Sequence, residues 1–337
     1  MERSVPLLRV RRGDHEESLH RGFVAVHSGE RMLGVLGDPG ALVFYRSASK
    51  PLQALAGITT GAADAFGLVP AELALATGSH NGAPVHVAAA RSLLAKAGVP
   101  ESALGCGGHW SIDPEVAQQQ RVGWTRPPAV LSNCSGKHAL MLAGSQHLGA
   151  PLESYLSAGH PLQQRIRSEL GHMAGVPAEE VRVAIDGCGA PTFALPLAQA
   201  ARSVAMLAAP EGLPAPLAAA VRRTVEAMRA HPEMVGGEGR FDTELMRAGK
   251  GAFVAKGGAE GVHMVAAPSK GLGVLVKVAD GHDRGYRLVV LALLQRLGLL
   301  EAAAAEALAE SQGSRTQENW SGTVTGELEV LLPRQFP

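Results

Sequence analysis

The sequence predicts an α+β fold in which a mostly antiparallel sheet, formed from both chain ends, is covered by a large helical insertion. Two observations carry this prediction. Short apolar segments with strand-like alternation lie near the start of the chain and again after residue 250. Between them, most segments show the apolar period of helices and are separated by Gly and Pro.

The first elements are two short strands at residues 22–28 and 32–37, joined as a hairpin by a glycine-containing turn. A helix begins near Ser49, because the period changes there and Pro51 suits a first helical turn. The helical middle then comprises seven predicted helices, at residues 70–77, 84–97, 137–148, 160–174, 193–207, 214–230 and 241–249.

Strands return in the last third of the chain. Three consecutive strands are predicted at 251–257, 261–267 and 272–279, followed by an apolar helix at 284–299 and an Ala-rich helix at 301–309. We therefore expect one domain over residues 1–337. Its sheet subregion covers about 1–46 and 250–337, and its helical subregion covers about 47–249.

Composition limits the partners. The 337 residues carry 31 Lys and Arg against 31 Asp and Glu, so the chain has no basic footprint for nucleic acid or an anionic membrane. The start of the chain lacks the apolar region of a secretory signal, and no apolar run is long enough for a membrane span. We expect a cytoplasmic protein that acts on a small molecule. Three cysteines argue against a disulfide framework.

The lysines are informative because they are rare, at 7 against 24 arginines. Arginine keeps its proton in proteins, whereas lysine can be tuned to act as a base or a ligand. Lys50 follows Ser47 in an S-x-x-K spacing, which on a helical turn brings the amine to the serine hydroxyl. Burial would make that amine neutral and able to activate the serine. The simpler interpretation of this motif alone is a capped helix with a solvated lysine.

Two further motifs follow in chain order. Ser79 opens an S-x-N motif that ends at Asn81, and Lys256 opens a K-x-G motif at the end of a predicted strand. S-x-x-K, S-x-N and K-x-G in this order are the element set of penicillin-recognising serine acyl-transferases. We expect Ser79 to carry a proton to the leaving group, and Lys256 to hold Ser79 or a substrate carboxylate. Taken alone, the Ser79 segment is better explained as a polar loop cap.

Two polar, glycine-bearing turns hold Cys134 and Cys188 at element ends. Two thiolates suit a metal such as zinc, with Lys137, His138 or Asp186 as a possible third ligand. The spacing matches no standard zinc signature, and two buried free cysteines are an equally good interpretation.

The chain resembles the Rhizobium etli-type L-asparaginases in five stretches, RSASKPLQ, TGSHNGAPVH, SNCSGKHALML, DGCGAP and VAKGGAEGV. That asparaginase II class has a serine β-lactamase-like fold. The resemblance implies hydrolysis of L-asparagine to L-aspartate and ammonia by a homodimer with two Ser–Lys pairs, Ser47 with Lys50 and Ser79 with Lys256. Ser47 would attack the side-chain amide to give a β-aspartyl ester, which water then hydrolyses.

The resemblance also implies ligand sites. Zinc would be held by Cys134, Lys137 and Cys188, as an aid to substrate binding rather than as the hydrolytic centre, and no organic cofactor is implied. Four further residues are expected to contact the substrate or the metal-bound water: Arg46, Asn81, His138 and Asp186. Two alternatives stay open. One is a β-lactam-recognising serine hydrolase of the same fold, and the other is a non-catalytic amino-acid or metal-binding protein.

Overall fold

The computed structural model describes residues 3–284, 286–313 and 315–337, so residue 285 of the predicted helix at 284–299 lies outside it. The described residues form eleven strands: β1 Val5–Arg12, β2 His15–His27, β3 Met32–Leu36, β4 Leu42–Phe44, β5 Arg182–Ile185, β6 Pro191–Pro196, β7 Val254–Gly258, β8 Val262–Ala267, β9 Leu272–Val278, β10 Thr316–Glu318 and β11 Val324–Val330.

The same residues form thirteen α-helices: α1 Lys50–Thr59, α2 Ala62–Ala65, α3 Pro70–Ala76, α4 Pro84–Lys96, α5 Pro114–Gly123, α6 Ser135–His147, α7 Pro161–Ala174, α8 Leu197–Ala208, α9 Ala215–Ala230, α10 Pro232–Val235, α11 Phe241–Ala248, α12 Tyr286–Arg296 and α13 Ala302–Gly313. Five short 3-10 helices add to these, at Arg46–Ser49, Glu101–Ala103, Ala129–Leu131, Leu152–Ser154 and Ala178–Glu180.

The large sheet combines strands from both chain ends. Its order is β10-β11-β1-β2-β9-β8-β7, with β3 paired to β2, and every pairing is antiparallel. The predicted α+β class, antiparallel sheet and helical insertion are confirmed. Strand β8 is buried at all six positions. Because successive side chains alternate between the two faces, both faces of the sheet are covered there.

Helix α1 lies at the centre of the helical region, where it packs against α6, α7 and α9. Its first eight residues, from Lys50 to Gly57, are all buried. A helix that is buried on every side must be apolar or have its polar groups paired. The lysine at its first position is therefore removed from water.

The prediction of a helix at 193–207 is wrong in its first turn. Residues 191–196 form β6, which is the middle strand of a second, three-stranded antiparallel sheet with the order β4-β6-β5. The helix begins only at Leu197. Proline at positions 191 and 196 bounds the strand and is the local signal that separates it from the helix. Helix α5, capped by the Asp113 side chain at 3.0 and 3.2 Å, was not predicted.

None of the described helices is both long enough and apolar enough to cross a lipid bilayer.

Candidate active site

The turn that carries Ser47 is the 3-10 helix Arg46–Ser49 between β4 and α1. The backbone amide of Tyr45 donates to the Phe193 carbonyl of β6 at 3.0 Å, which fixes the start of the turn. Arg46 has a φ of 49°, in the left-handed region that non-glycine residues rarely adopt. Such strain persists only where the surroundings enforce it, and it is frequent at functional sites.

Strand β7 lies against this turn at Gly258. A Cβ atom at residue 258 would come within 2.7 Å of the Tyr45 carbonyl oxygen and 2.9 Å of the Ala48 amide nitrogen. Both are backbone atoms that cannot move aside. Only glycine therefore allows the strand of Lys256 to approach the turn of Ser47 this closely.

Ser79 lies in the loop between α3 and α4, which is tied to the segment after α10. The Ser79 amide donates to the Val235 carbonyl at 2.8 Å, and the Asn81 amide donates to the Gly236 carbonyl at 3.0 Å. Gly78 permits this approach, because a Cβ there would meet the Val235 oxygen at 2.6 Å. The loop presents the Ser79 hydroxyl from a fixed backbone.

A cavity of about 460 Å³ brings the three motifs together. Its wall includes Ser47, Ser79 and Lys256, together with Asn133 and Asp242. Both serines are half-buried, so their hydroxyls are reachable from the cavity. The volume falls within the range of sites for small molecules.

Lys50 lies beneath this cavity and is fully buried. Its Nζ donates to Ser79 Oγ at 2.9 Å and to the carbonyls of Gly78 and Asn133 at 2.6 and 3.1 Å. Burial lowers the pKa of Lys50, and the positive charges of Lys137 and Lys256 act in the same direction, although Cys134 opposes them. A lysine with neutral acceptors and no carboxylate is suited to lose its proton.

The predicted pairing of Lys50 with Ser47 is not the one found. No hydrogen bond joins these two side chains in the part of the chain that the structure describes, and Lys50 pairs with Ser79 instead. The three N–H groups of the Lys50 ammonium are taken by Ser79 Oγ and by the carbonyls of Gly78 and Asn133, so none is left for Ser47.

The predicted pairing of Ser79 with Lys256 is replaced as well. Lys256 Nζ donates to Asp242 Oδ2 at 2.8 Å and to the Gly257 carbonyl at 2.6 Å, and no hydrogen bond to Ser79 occurs among the described residues. Burial opposes the charge of Asp242, but Lys256 and the hydrogen bond from His263 outweigh it and hold the pKa of Asp242 well below its usual range. Asp242 belongs to no sequence motif, so only the fold reveals it.

The two cysteines and Lys137 form a buried cluster. Lys137 Nζ donates to Cys188 Sγ at 3.1 Å, and Cys134 Sγ lies 3.1 Å from Asn133 Oδ1. The interaction with Cys188 and the charges of Lys50 and Lys137 lower the pKa of Cys134 against the effect of burial, while the interaction with Cys134 and burial raise the pKa of Cys188. Burial opposes the charge of Lys137, yet Cys134 and Cys188 raise its pKa.

Two sulfurs and one amine in one buried place are a donor set that suits zinc. Over residues 3–284, 286–313 and 315–337 no group of three or more His, Cys, Asp or Glu side chains is placed to hold a metal ion. The cluster supplies only two residues of those types. A metal here therefore requires Lys137 as its third protein ligand.

The remaining predicted residues lie close by but differ in their surroundings. Arg46 Nε donates to Asp186 Oδ1 at 2.7 Å, joining the Ser47 turn to the turn of Cys188.

Asn81 is buried, and its side chain contacts Asp113 at 3.4 Å and the Ala83 amide at 3.3 Å, away from the cavity wall. His138 is also buried. Its Nδ1 lies 2.6 Å from the Tyr155 hydroxyl, and its Nε2 has no partner among the described residues.

Comparison with known proteins gives a match to the family model described as L-asparaginase II, over residues 8–330. No curated protein matches the chain. Among solved structures, Mglu in its native form matches with a TM-score of 0.45 and 16% identity, over 89% of this chain and 69% of that chain.

Mglu in its glutamate form gives a TM-score of 0.44 and 16% identity over 83% of this chain, and the match spans 61% of that structure's length. A β-lactamase from Mycobacterium bovis gives a TM-score of 0.41 and 17% identity, over 86% of this chain and 94% of that chain.

Proposed function

The chain belongs to the L-asparaginase II family, a family of amidohydrolases that act on asparagine, and from this premise we propose that it hydrolyses L-asparagine to L-aspartate and ammonia with a serine nucleophile. One observation supports the serine chemistry above the others. Ser47 and Ser79 share one cavity, and a fully buried lysine, Lys50, donates to Ser79 at 2.9 Å.

In the proposed reaction, Ser47 Oγ attacks the side-chain amide carbon of asparagine. A bond forms between Ser47 Oγ and that carbon, and the carbon–nitrogen bond breaks. The serine proton passes through Ser79 to the neutral amine of Lys50 and returns to the departing nitrogen, which leaves as ammonia. Water then hydrolyses the β-aspartyl ester, losing one proton to the lysine and restoring the Ser47 hydroxyl. Lys50 thus acts through Ser79 rather than by direct contact with Ser47.

We propose that zinc binds Cys134, Lys137 and Cys188. Ligands bind zinc without their protons, so binding releases the protons of Lys137 and Cys188. A bound zinc ion supplies positive charge that helps to hold an anionic substrate beside the Arg46–Asp186 pair. Metal analysis of the purified protein tests this: we expect a zinc content near one ion per chain, lost in Cys188→Ala and kept in the control Cys106→Ala. A full zinc content in both variants would contradict the assignment.

The main test measures ammonia and aspartate released from L-asparagine, beside hydrolysis of a chromogenic cephalosporin. We expect equal amounts of the two products and no cephalosporin hydrolysis. Hydrolysis of the cephalosporin alone would support the β-lactam alternative. Binding of asparagine by calorimetry without ammonia release would support a non-catalytic protein.

Mass spectrometry of the quenched reaction identifies the nucleophile. We expect a β-aspartyl adduct on the peptide of Ser47 and none in Ser47→Ala. An adduct on Ser79 would reverse the roles of the two serines.

We also propose that the protein is a cytoplasmic homodimer. Sedimentation analysis tests the dimer, and a monomer at working concentration would contradict it.

A further inference from the structure

Asp242, the second residue of α11, is a carboxylate in the cavity wall that neither Ser–Lys pair includes. It accepts from Lys256 Nζ at 2.8 Å and from the Gly257 amide at 3.0 Å to each of its oxygens. Its Oδ1 also lies 3.1 Å from His263 Nε2. All these neighbours are donors, so the carboxyl group is ionised and fully hydrogen-bonded.

Asp242 is bonded to one cation or to two, depending on whether His263 is charged. The His263 side chain is fully buried, and its Nδ1 has no hydrogen-bond partner among the described residues. A charged imidazole would place a second N–H at Nδ1 with nothing to accept it. The arrangement therefore fits a neutral ring that donates from Nε2. The only full positive charge bonded to Asp242 is then Lys256.

Lys256 is 1% exposed and uses two donors, on Asp242 and on the Gly257 carbonyl. An ammonium group has a third N–H, and the cavity is the space left for it. Besides Asp242 and His263, the charged or titratable groups that line the cavity with Lys256 are Arg240, Glu260, His282, Asp283, Tyr286 and Arg287, and Lys50 interacts with Lys256 from beneath the wall. No second carboxylate contacts Lys256 in the described part of the chain.

We propose that Asp242 is a positioning residue that, with His263, holds Lys256 as a fixed ammonium in the cavity wall, where it binds the substrate carboxylate and does not act as a base. The inference rests on the proposed function for the identity of the substrate. Of the two roles expected for Lys256 from the sequence, it selects the binding of a substrate carboxylate over the partnership with Ser79. Lys50 is left as the lysine that exchanges protons with the serines.

Substitution of Lys256 separates the two roles. Arginine keeps its positive charge and cannot act as a base. We expect Lys256→Arg to keep kcat/KM for asparagine within about tenfold of the wild type, and Lys256→Met to lose about 100-fold, mainly through a higher KM. A loss of about 1000-fold in kcat for both variants would show that Lys256 is a base and would overturn the proposal.

The pH profile tests the part played by Asp242. In Asp242→Asn the Lys256 ammonium loses the negative charge bonded to it, so the alkaline limb of kcat/KM should move to lower pH. The double variant Asp242→Asn with Lys256→Arg should lose that shift. Glu169→Gln is the matched control, because it removes another buried carboxylate, bonded to Thr59 and Arg165. An unshifted limb in Asp242→Asn would contradict the proposal.

A spectroscopic readout works whether or not the protein releases ammonia. Lysine labelled with ¹³C at Cε gives seven resonances, and Lys256→Arg identifies one of them. We expect an ammonium signal for Lys256 in the wild type at the pH of the activity assay, and a changed signal in Asp242→Asn, which removes the bonded carboxylate. An ammonium signal in a protein without asparaginase activity would refute the proposed function alone. A neutral-amine signal in the wild type at that pH would refute the role of Asp242.

Discussion

Lys50 and Lys256 are both buried lysines beside the same cavity, yet the protein surrounds them differently. Lys50 donates to two carbonyls and a hydroxyl, all neutral, whereas Lys256 donates to the carboxylate of Asp242. Burial removes water from both amines. Cys134 offsets part of that cost for Lys50 without reversing it, whereas Lys256 is hydrogen-bonded directly to a carboxylate. The comparison teaches that burial alone does not set the role of a lysine, because the partner decides whether the proton stays.

The largest expected effect comes from a substitution that fixes a positive charge at the position of Lys50. Lys50→Arg puts a permanent cation where the reaction needs a neutral amine, so we expect kcat to fall by about 1000-fold. Ammonia release from asparagine is the measurement. Lys96→Arg is the control, since Lys96 pairs with Glu72 at the protein surface at 2.8 Å. A kcat for Lys50→Arg within tenfold of the wild type would end the distinction between the two lysines.

The second effect is on stability and depends on pH. Removal of one partner from a buried ion pair leaves the other charge uncompensated, so Asp242→Asn should lower the free energy of unfolding at pH 7 by about 3 kcal/mol. The folded pKa of Asp242 is depressed, so its contribution is present above the unfolded pKa, near 4, and is lost as the pH falls below it. The wild type should therefore lose about 1.4 kcal/mol per pH unit in that range through this group.

Urea denaturation between pH 2 and pH 7 measures the stability difference between wild type and Asp242→Asn. We expect the difference to shrink as the pH falls, because protonation removes from the wild type what the variant already lacks. A difference that stays constant down to pH 2 would mean that the carboxylate contributes through packing rather than through its charge.

The sequence predicts which residues form the site, but not how they pair. The order of the motifs predicts that Ser47, Ser79 and Lys256 lie together, and the structure places all three in one cavity wall. Motifs do not predict which lysine contacts which serine. That choice depends on the backbone carbonyls that surround each amine, such as those of Gly78 and Asn133 around Lys50.

Asp242 is a residue of the site that no sequence motif predicts. It lies 14 residues before its partner, in a helix whose sequence contains no catalytic pattern. Only the packing of α11 against β7 brings the carboxylate to Lys256 and to His263. In the fold, strands β2, β3, β7, β8 and β9 followed from alternation, whereas β1, β6, β10 and β11 did not. A six-residue apolar strand is too short for periodicity to separate it from a helical turn.

A third, smaller effect tests the contact between the strand of Lys256 and the turn of Ser47. Gly258→Ala places a methyl group against two backbone atoms of that turn, so we expect a loss of about 1–3 kcal/mol in stability. It should also lower kcat/KM, because the turn must shift Ser47 relative to Lys256. The control is Gly123→Ala at the end of α5, where an added Cβ meets nothing within 4 Å. Equal activity in the two variants would show that the close approach is not needed for catalysis.

The smallest effect concerns the neutral donor beside Asp242. His263→Gln can keep an N–H near the position of Nε2, but it loses the ring contact with Phe241, whose centroid lies 5.4 Å away. We expect a loss of about 1 kcal/mol in stability for His263→Gln. Because this change neither adds nor removes a full charge beside Lys256, the alkaline limb of kcat/KM should stay in place in the glutamine variant. If that limb moves as far as in Asp242→Asn, then His263 carries a positive charge of its own, and Asp242 divides its charge between two cations.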